Sequence, residues 1–244
     1  MIRLFFIIIM LKISDITKFT LQDYPNHTAC IIWFAGCNMR CKFCHNTEFL
    51  EQNSNFLSKD YVISFLQKRV GLFDGVVLSG GECTICDSFI DFVKEIKKLG
   101  FKVKIDTNGL NFNTIKELVE NKLVDFIALD FKAPIDKFTN ITQIDKNQYN
   151  NFEHTLKYLI KNNNEKNVDL EIRTTIHTKL LQEEDINKMI DILDDLKYSQ
   201  IYYIQNFRND NKATLINLGD QVYLVNKEKI KQPKNFTVDY RNFF

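Results

Sequence analysis

The chain alternates a short apolar strand with an amphipathic helix, and that alternation restricts the fold more than any other feature. Residues 28–35 (TACIIWFA) form a continuous apolar run, as in a strand buried on both faces. Further strands are expected at 75–79 (GVVLS), 101–106, 124–130 (VDFIALD), 168–176 and 201–206 (IYYIQN). Helices are expected over 58–70, with Ser58 as N-cap, and over 89–99, 113–121, 148–161 and 183–196. Gly100 stands where a C′ glycine belongs. The tail beyond 220 is less patterned, with 221–225 as one more candidate strand. Strands alternating with helices imply parallel βα units. Six such units predict an α/β fold built as a partial (β/α)6 TIM-like barrel, open rather than closed at eight. No linker or composition shift divides the chain, so residues 11–244 read as a single domain.

In such folds the chemistry collects at the C-terminal ends of the strands, and the polar motifs fall there in order. Gly36-Cys37 follow the first strand, Gly80-Gly81-Glu82 the second and Asp106-Thr107-Asn108-Gly109 the third. Asp130-Phe131-Lys132 end the fourth, Arg173 and His177 lie at the end of the fifth, and Gln205 at the end of the sixth. An arginine inside an otherwise apolar strand needs an anionic partner, because burying it unpaired is costly. His177 reads as a satisfied structural histidine.

Composition excludes several classes. The formal net charge of +1 argues against a nonspecific nucleic-acid binder. The six cysteines all lie in the first 86 of 244 residues, whereas a secreted disulfide scaffold would spread them along the chain. Clustered in this way they read as metal ligands or redox groups of a cytoplasmic protein. The opening run MIRLFFIIIM has no small-residue cleavage site and falls short of the roughly 20 residues that span a bilayer. It reads as an upstream extension of the reading frame, with Met1 and Met10 both open as the start, and no membrane partner is expected.

Cys37, Cys41 and Cys44 form a C-x3-C-x2-C loop. Three thiolates close in sequence can hold three irons of a cubane cluster and leave the fourth iron open to a small molecule. The competing reading is a structural zinc site, closed by His45 or Cys30 as fourth ligand. The loop resembles the signature of the radical SAM superfamily, C-x3-C-x-aromatic-C, with Phe43 in the aromatic position. The resemblance implies a [4Fe–4S] cluster whose open iron is chelated by S-adenosylmethionine (SAM), and one-electron cleavage of SAM to a 5′-deoxyadenosyl radical. It places Phe43 beside the adenine and Gly80, Gly81 and Glu82 at the methionine amino group. Glycines there let the backbone approach a ligand closely.

The DTNG and D-x-K segments resemble a narrower group, the activases of glycyl-radical enzymes. That resemblance puts Asp106, Asn108, Asp130, Lys132 and Arg173 at SAM, and Asp106, Thr107 and Asp130 around a monovalent cation. The phrase Ile16-Thr17-Lys18-Phe19-Thr20-Leu21-Gln22-Asp23-Tyr24-Pro25 and the run GCNMRCKFCHN are similar to the activating proteins of anaerobic ribonucleoside-triphosphate reductases. The implied partners are such a glycyl-radical enzyme and a flavodoxin or ferredoxin-type electron donor. A pyruvate formate-lyase-type activase, a small-molecule enzyme such as 7-carboxy-7-deazaguanine synthase, and a non-catalytic zinc or iron–sulfur module are the alternatives. Cys83 and Cys86 follow the GGE segment where the family commonly has proline. They read either as a redox or auxiliary metal pair or, as we expect, with Cys83 as a small apolar filler in a buried turn.

Overall fold

The computed structural model describes residues 11–50, 55–208, 214–216, 218–219, 221 and 223–243. Its strands are β1 (Ile13–Thr20), β2 (Ala29–Phe34), β3 (Gly75–Gly80), β4 (Lys102–Thr107), β5 (Phe126–Asp130), β6 (Asp169–Ile176), β7 (Ile201–Asn206) and β8 (Thr237–Arg241). They form one sheet in chain order, β1 antiparallel to β2 and all later pairs parallel. Among the described residues β1 and β8 do not pair, so the sheet is an open, partial barrel. The six expected strands are β2 to β7, each within two residues of its expected bounds.

The helices are α1 (Lys59–Gln67), α2 (Phe89–Lys98), α3 (Phe112–Glu120), α4 (Phe138–Thr142), α5 (Tyr149–Asn164) and α6 (Glu183–Asp195). Ser58 caps α1, its Oγ accepting the Tyr61 N–H at 3.2 Å. Gly100 follows α2 at φ +89°, the left-handed position that a glycine takes at least cost. Phe92, Val93 and Ile96 of α2, Ile115 and Leu118 of α3, Leu156 and Leu159 of α5 and Ile186, Met189 and Leu193 of α6 are fully buried. Each such side chain contributes about 1.5–3 kcal/mol by leaving water.

Three elements lie outside the expected pattern. β1 carries Asp15, Thr17 and Lys18, and only Ile13 is buried along it, so its apolar signal is faint. β8 reads TVDYR; Val238 and Tyr240 pack on the core, but the period-2 run is only five residues long. α4 is a single turn and a half, too short to show a helical period. The strand expected at 221–225 does not form: residues 221 and 223–225 are loop, and Val222 lies outside the described residues. Val225 is apolar there because the loop docks on the barrel, with Gln221 Oε1 accepting the Thr178 N–H and Gln221 Nε2 donating to Asn206 Oδ1. The opening run of residues 1–10 also lies outside the described residues.

The inward face of the sheet changes character along its length. At the N-terminal end Ile31 and Val77 pack with Tyr24 against Trp33 and Phe126 and close the bottom of the barrel. Lys104 shares a row with Val77 and Phe126, and nearer the C-terminal ends the same face carries Asp106, Asp130 and Arg173. α4 belongs to that end. Its last carbonyls, which no helix can satisfy internally, accept N–H groups of the cysteine loop: Arg40 donates to Thr142 O at 2.9 Å and Lys42 to Ile141 O at 3.0 Å. Phe138 anchors this helix and is 1% exposed. Phe138→Ala is expected to cost about 3–5 kcal/mol in urea unfolding of the iron-free protein, and to speed hydrogen exchange at the Arg40 and Lys42 amides more than at β3.

Candidate active site

The strand ends converge on one cavity. Cys37, Cys41, Phe43 and Cys44 form one wall, Gly80, Gly81 and Glu82 a second, and Asp106, Thr107, Asn108, Asp130, Lys132, Arg173 and Gln205 the rest. Every residue that the sequence placed at SAM or at the cluster lines it.

The cysteine loop enters after β2, where Gly36 sits at φ +91°. Cys37 Sγ accepts the Met39 N–H at 3.4 Å and lies 3.9 Å from Asn108 Nδ2, which also donates to Asn38 Oδ1 at 2.8 Å. Arg40 folds back and donates to the carbonyls of Cys37 and Met39. Burial pushes the Cys37 thiol up to about 11 and the Cys41 thiol up to about 12, with Lys132 pulling both back. Bare thiolates are therefore disfavoured here, and bound metal cations would supply the missing stabilisation. Among the described residues no three or more His, Cys, Asp or Glu side chains gather around one point as a single ion requires. Cys30 is fully buried on β2 and does not line the cavity, which removes it as a fourth zinc ligand. His45 does line it, its ring 4.6 Å from that of Phe207. Three sulfurs lining one cavity fit a cluster that takes one cysteine per iron.

The glycines of the GGE segment face the chain itself. A Cβ on Gly80 (φ +124°) would lie 2.3 Å from Phe34 O, and one on Gly81 would lie 2.1 Å from Gly36 O. Gly81 N–H donates to Phe34 O and Glu82 N–H to Gly36 O, both at 2.8 Å, so this segment is laced to the root of the cysteine loop. The Glu82 carboxylate, 1% exposed, accepts from Thr84 N–H and Oγ1–H, from Thr107 Oγ1–H at 2.8 Å and from Asn108 N–H at 2.7 Å. It ties the end of β3 to the end of β4.

Charge fills the remaining wall. Arg173 donates through Nε to Asp130 Oδ1 at 2.6 Å, and its NH2 lies 3.3 Å from Asp106 Oδ2. Asp106 also pairs with Lys104 and accepts from Ser79 Oγ at 3.1 Å. Lys132 donates to Asp130 Oδ2 at 2.9 Å and stands 5.8 Å from the Phe43 ring. Burial pushes the Asp130 carboxyl up, but Arg173 and Lys132 overcome it and hold it well below the usual carboxylate range. For Asp106 burial is likewise outweighed by Arg173 and Lys104. The guanidinium thus stands between the two carboxylates expected to share a cation, and the Thr107 hydroxyl is turned to Glu82.

Residues 31–196 match the family model described as Radical SAM superfamily.

The chain belongs to the radical SAM superfamily.

A Methanocaldococcus jannaschii protein named for a glycyl-radical enzyme activating role is 35% identical over 198 residues, covering 80% of this chain and 79% of that one. The pyruvate formate-lyase-activating enzyme of Clostridium pasteurianum is 28% identical, covering 85% of this chain and 82% of that one. Streptococcus suis SuiB bound to its precursor peptide SuiA shares the fold, with a TM-score of 0.62 at 15% identity; the match covers 86% of this chain and 48% of SuiB, so the chain spans about half of that protein. As a radical SAM enzyme it uses a [4Fe–4S] cluster and SAM. The cluster, when bound, supplies the electron that cleaves the SAM sulfonium bond. Among the described residues no helix is long and apolar enough to cross a membrane.

Several lining residues went unread in the sequence. Met39, Asn46, Leu50, Ser79 and Thr175 all face the cavity. Thr175 had a usable signal, since it shares a strand face with Arg173, which was already singled out. Asn46 Nδ2 donates to Gly80 O at 3.1 Å and adds another tie between the two loops. Cys83 is fully buried below the cavity, its Sγ 3.6 Å from Leu78 O and 3.7 Å from Asp106 O, and burial pushes its thiol far up. That placement is the one expected of a buried apolar filler. His177 is buried, with Nε2 3.2 Å from Gly219 O and Nδ1 accepting the Lys179 N–H, which is the satisfied histidine expected.

Two substitutions test this geometry. Gly81→Ala forces a Cβ into the Gly36 carbonyl and is expected to cost about 1–3 kcal/mol or more, with a matching loss of iron after anaerobic reconstitution. Asp130→Asn leaves Arg173 and Lys132 short of a counter-charge and is expected to cost about 3–5 kcal/mol in urea unfolding, well beyond the effect of Lys94→Ala, whose pair is exposed.

Proposed function

We propose that this protein is an activating enzyme that cleaves SAM reductively and abstracts hydrogen from one glycine of a partner glycyl-radical enzyme, the anaerobic ribonucleoside-triphosphate reductase. The observation that carries the reading is the gathering of the DTNG and D-x-K side chains at the cysteine cavity. The relative at 35% identity supports the activase class. The N-terminal phrase at 16–25 supports the choice of partner.

In this reading Cys37, Cys41 and Cys44 hold the cluster. Lys132 has three ammonium donors and spends one on Asp130, so the others are offered to the SAM carboxylate. Phe43, 3% exposed, lies against the adenine and keeps water from it. The backbone at Gly80–Gly81 meets the methionine amino group, and Glu82 holds that backbone and Asn108 in place. Arg173 turns one edge of its guanidinium to the carboxylate or ribose. A monovalent cation would enter between Asp106 and Asp130 only as Arg173 gives up that place. A flavodoxin or ferredoxin-type protein supplies the electron, in the cytoplasm.

A second reading, a pyruvate formate-lyase as partner, is favoured by the Clostridium pasteurianum relative. Electron paramagnetic resonance separates them. The anaerobically reconstituted protein is mixed with SAM, reductant and either enzyme. A glycyl-radical doublet is expected on the reductase and none on the lyase; the reverse would select the second reading. 5′-Deoxyadenosine release without a radical on either would sink both and point to a small-molecule enzyme such as 7-carboxy-7-deazaguanine synthase.

A further inference from the structure

The last strand of the sheet reaches the active site through a buried carboxylate. Arg241, on β8, forms a two-pronged bond to Glu171 on β6: NH1 donates to Oε1 and NH2 to Oε2, both at 2.9 Å. The strand between them, β7, carries Tyr203, and the Arg241 guanidinium carbon lies over that ring, 3.4 Å from its centre. Glu171 is 6% exposed. It sits two residues before Arg173 on the same strand face, with Oε1 3.9 Å from Arg173 NH1. Arg173 in turn stands 2.6 Å from Asp130, which holds Lys132.

Arg173 therefore has carboxylates on two sides. Asp130 and Asp106 hold it at the cavity, and Glu171 lies behind it, one step deeper. Both Glu171 oxygens accept from Arg241, which matches the carboxylate's charge while Arg173 stays 3.9 Å away. A planar fork stacked on an aromatic ring is well suited to that, and a lysine could occupy only one oxygen at a time.

We propose that Arg241 is a positioning residue for SAM binding: by occupying Glu171 it leaves Arg173 at Asp130 and Asp106, facing the cavity. Without Arg241 a buried carboxylate loses its partner, and the nearest cation able to restore one is Arg173. Its withdrawal would leave Asp130 with Lys132 alone and Asp106 with Lys104 alone, and so take one positive charge away from the cavity wall that faces the SAM carboxylate. The inference rests on the reading of Arg173 as a SAM contact.

The test is SAM affinity, measured by equilibrium dialysis on the anaerobically reconstituted protein, alongside thermal midpoints. Arg241→Gln is expected to weaken SAM binding about tenfold, the scale of one lost charged contact. The double variant Glu171→Gln/Arg241→Gln removes the competing charge and is expected to return to within about threefold of the wild type on the same scale. A role confined to anchoring β8 gives the opposite result, with the double variant binding no better than the single one, and that overturns the proposal. Should Arg241→Gln fail to fold, Arg241→Lys takes its place, and the double variant must then bind SAM at least as tightly as Arg241→Lys. Arg173→Gln separates the two layers. If it binds SAM like the wild type, the reading of Arg173 fails; if it is weakened while Arg241→Gln is not, only the role of Arg241 fails.

Discussion

A guanidinium held between two carboxylates at the mouth of the barrel is the interaction on which the site depends. Arg173 joins Asp130 on β5 and Asp106 on β4, and these bring in Lys132 and Lys104. Burying one of these five charges and partly burying the other four costs desolvation that well-packed apolar side chains would not incur. Such a network adds little stability over an apolar core, so its value lies in what it does at the cavity. It sets fixed charge of both signs side by side along the cavity wall, which in the proposed reading meets the carboxylate and ammonium of a zwitterionic ligand.

The backbone around this network is as constrained as the charges. The cysteine loop is tied on one side to the ends of α4 and on the other to the GGE segment, through hydrogen bonds from its own amides and carbonyls. Gly80 and Gly81 are glycines because the backbone of Phe34 and Gly36 occupies the space a side chain would need. The sequence reading attributed their smallness to a ligand; the contact that demands it is with the chain itself. Glu82 follows the same logic. Burial pushes its carboxyl up, yet four hydrogen bonds are aimed at it, and through them it fixes Thr107 and Asn108.

Much of this was legible from pattern. β2 to β7 are apolar runs bounded by polar motifs, and each motif fell at a strand end, so the barrel and the site could be read together. What escaped was carried by short or weakly patterned segments. β1 buries only Ile13, α4 is five residues long, and β8 offers one period-2 run of five residues. The apolar stretch near 221–225 gave a false strand because Val225 is buried by docking, which periodicity cannot tell from pairing. The cysteine spacing alone left zinc open, and only placing Cys30 on β2, away from the cavity, removed one proposed ligand. The charge partners of Arg173 were anticipated in kind, since a buried arginine demands anions, but Glu171 and Arg241 were not, because strand β8 itself was unseen.

The inward face of the sheet shows why a radical site can be built on so small a barrel. Its bottom is closed by Tyr24, Ile31, Val77 and Phe126, and its top carries the ions. Lys104 marks the boundary, 3% exposed, with its ammonium paired to Asp106 and 5.8 Å from the Phe126 ring. Below it the face is packed with apolar side chains; above it Asp106, Asp130 and Arg173 are held by one another and by Lys104 and Lys132. A highly reactive intermediate needs both conditions, since loose water and mobile side chains are its nearest competitors for hydrogen. The apolar plug and the ionic mouth are thus one design along a single face, set by which residue of each strand lies two positions above the last.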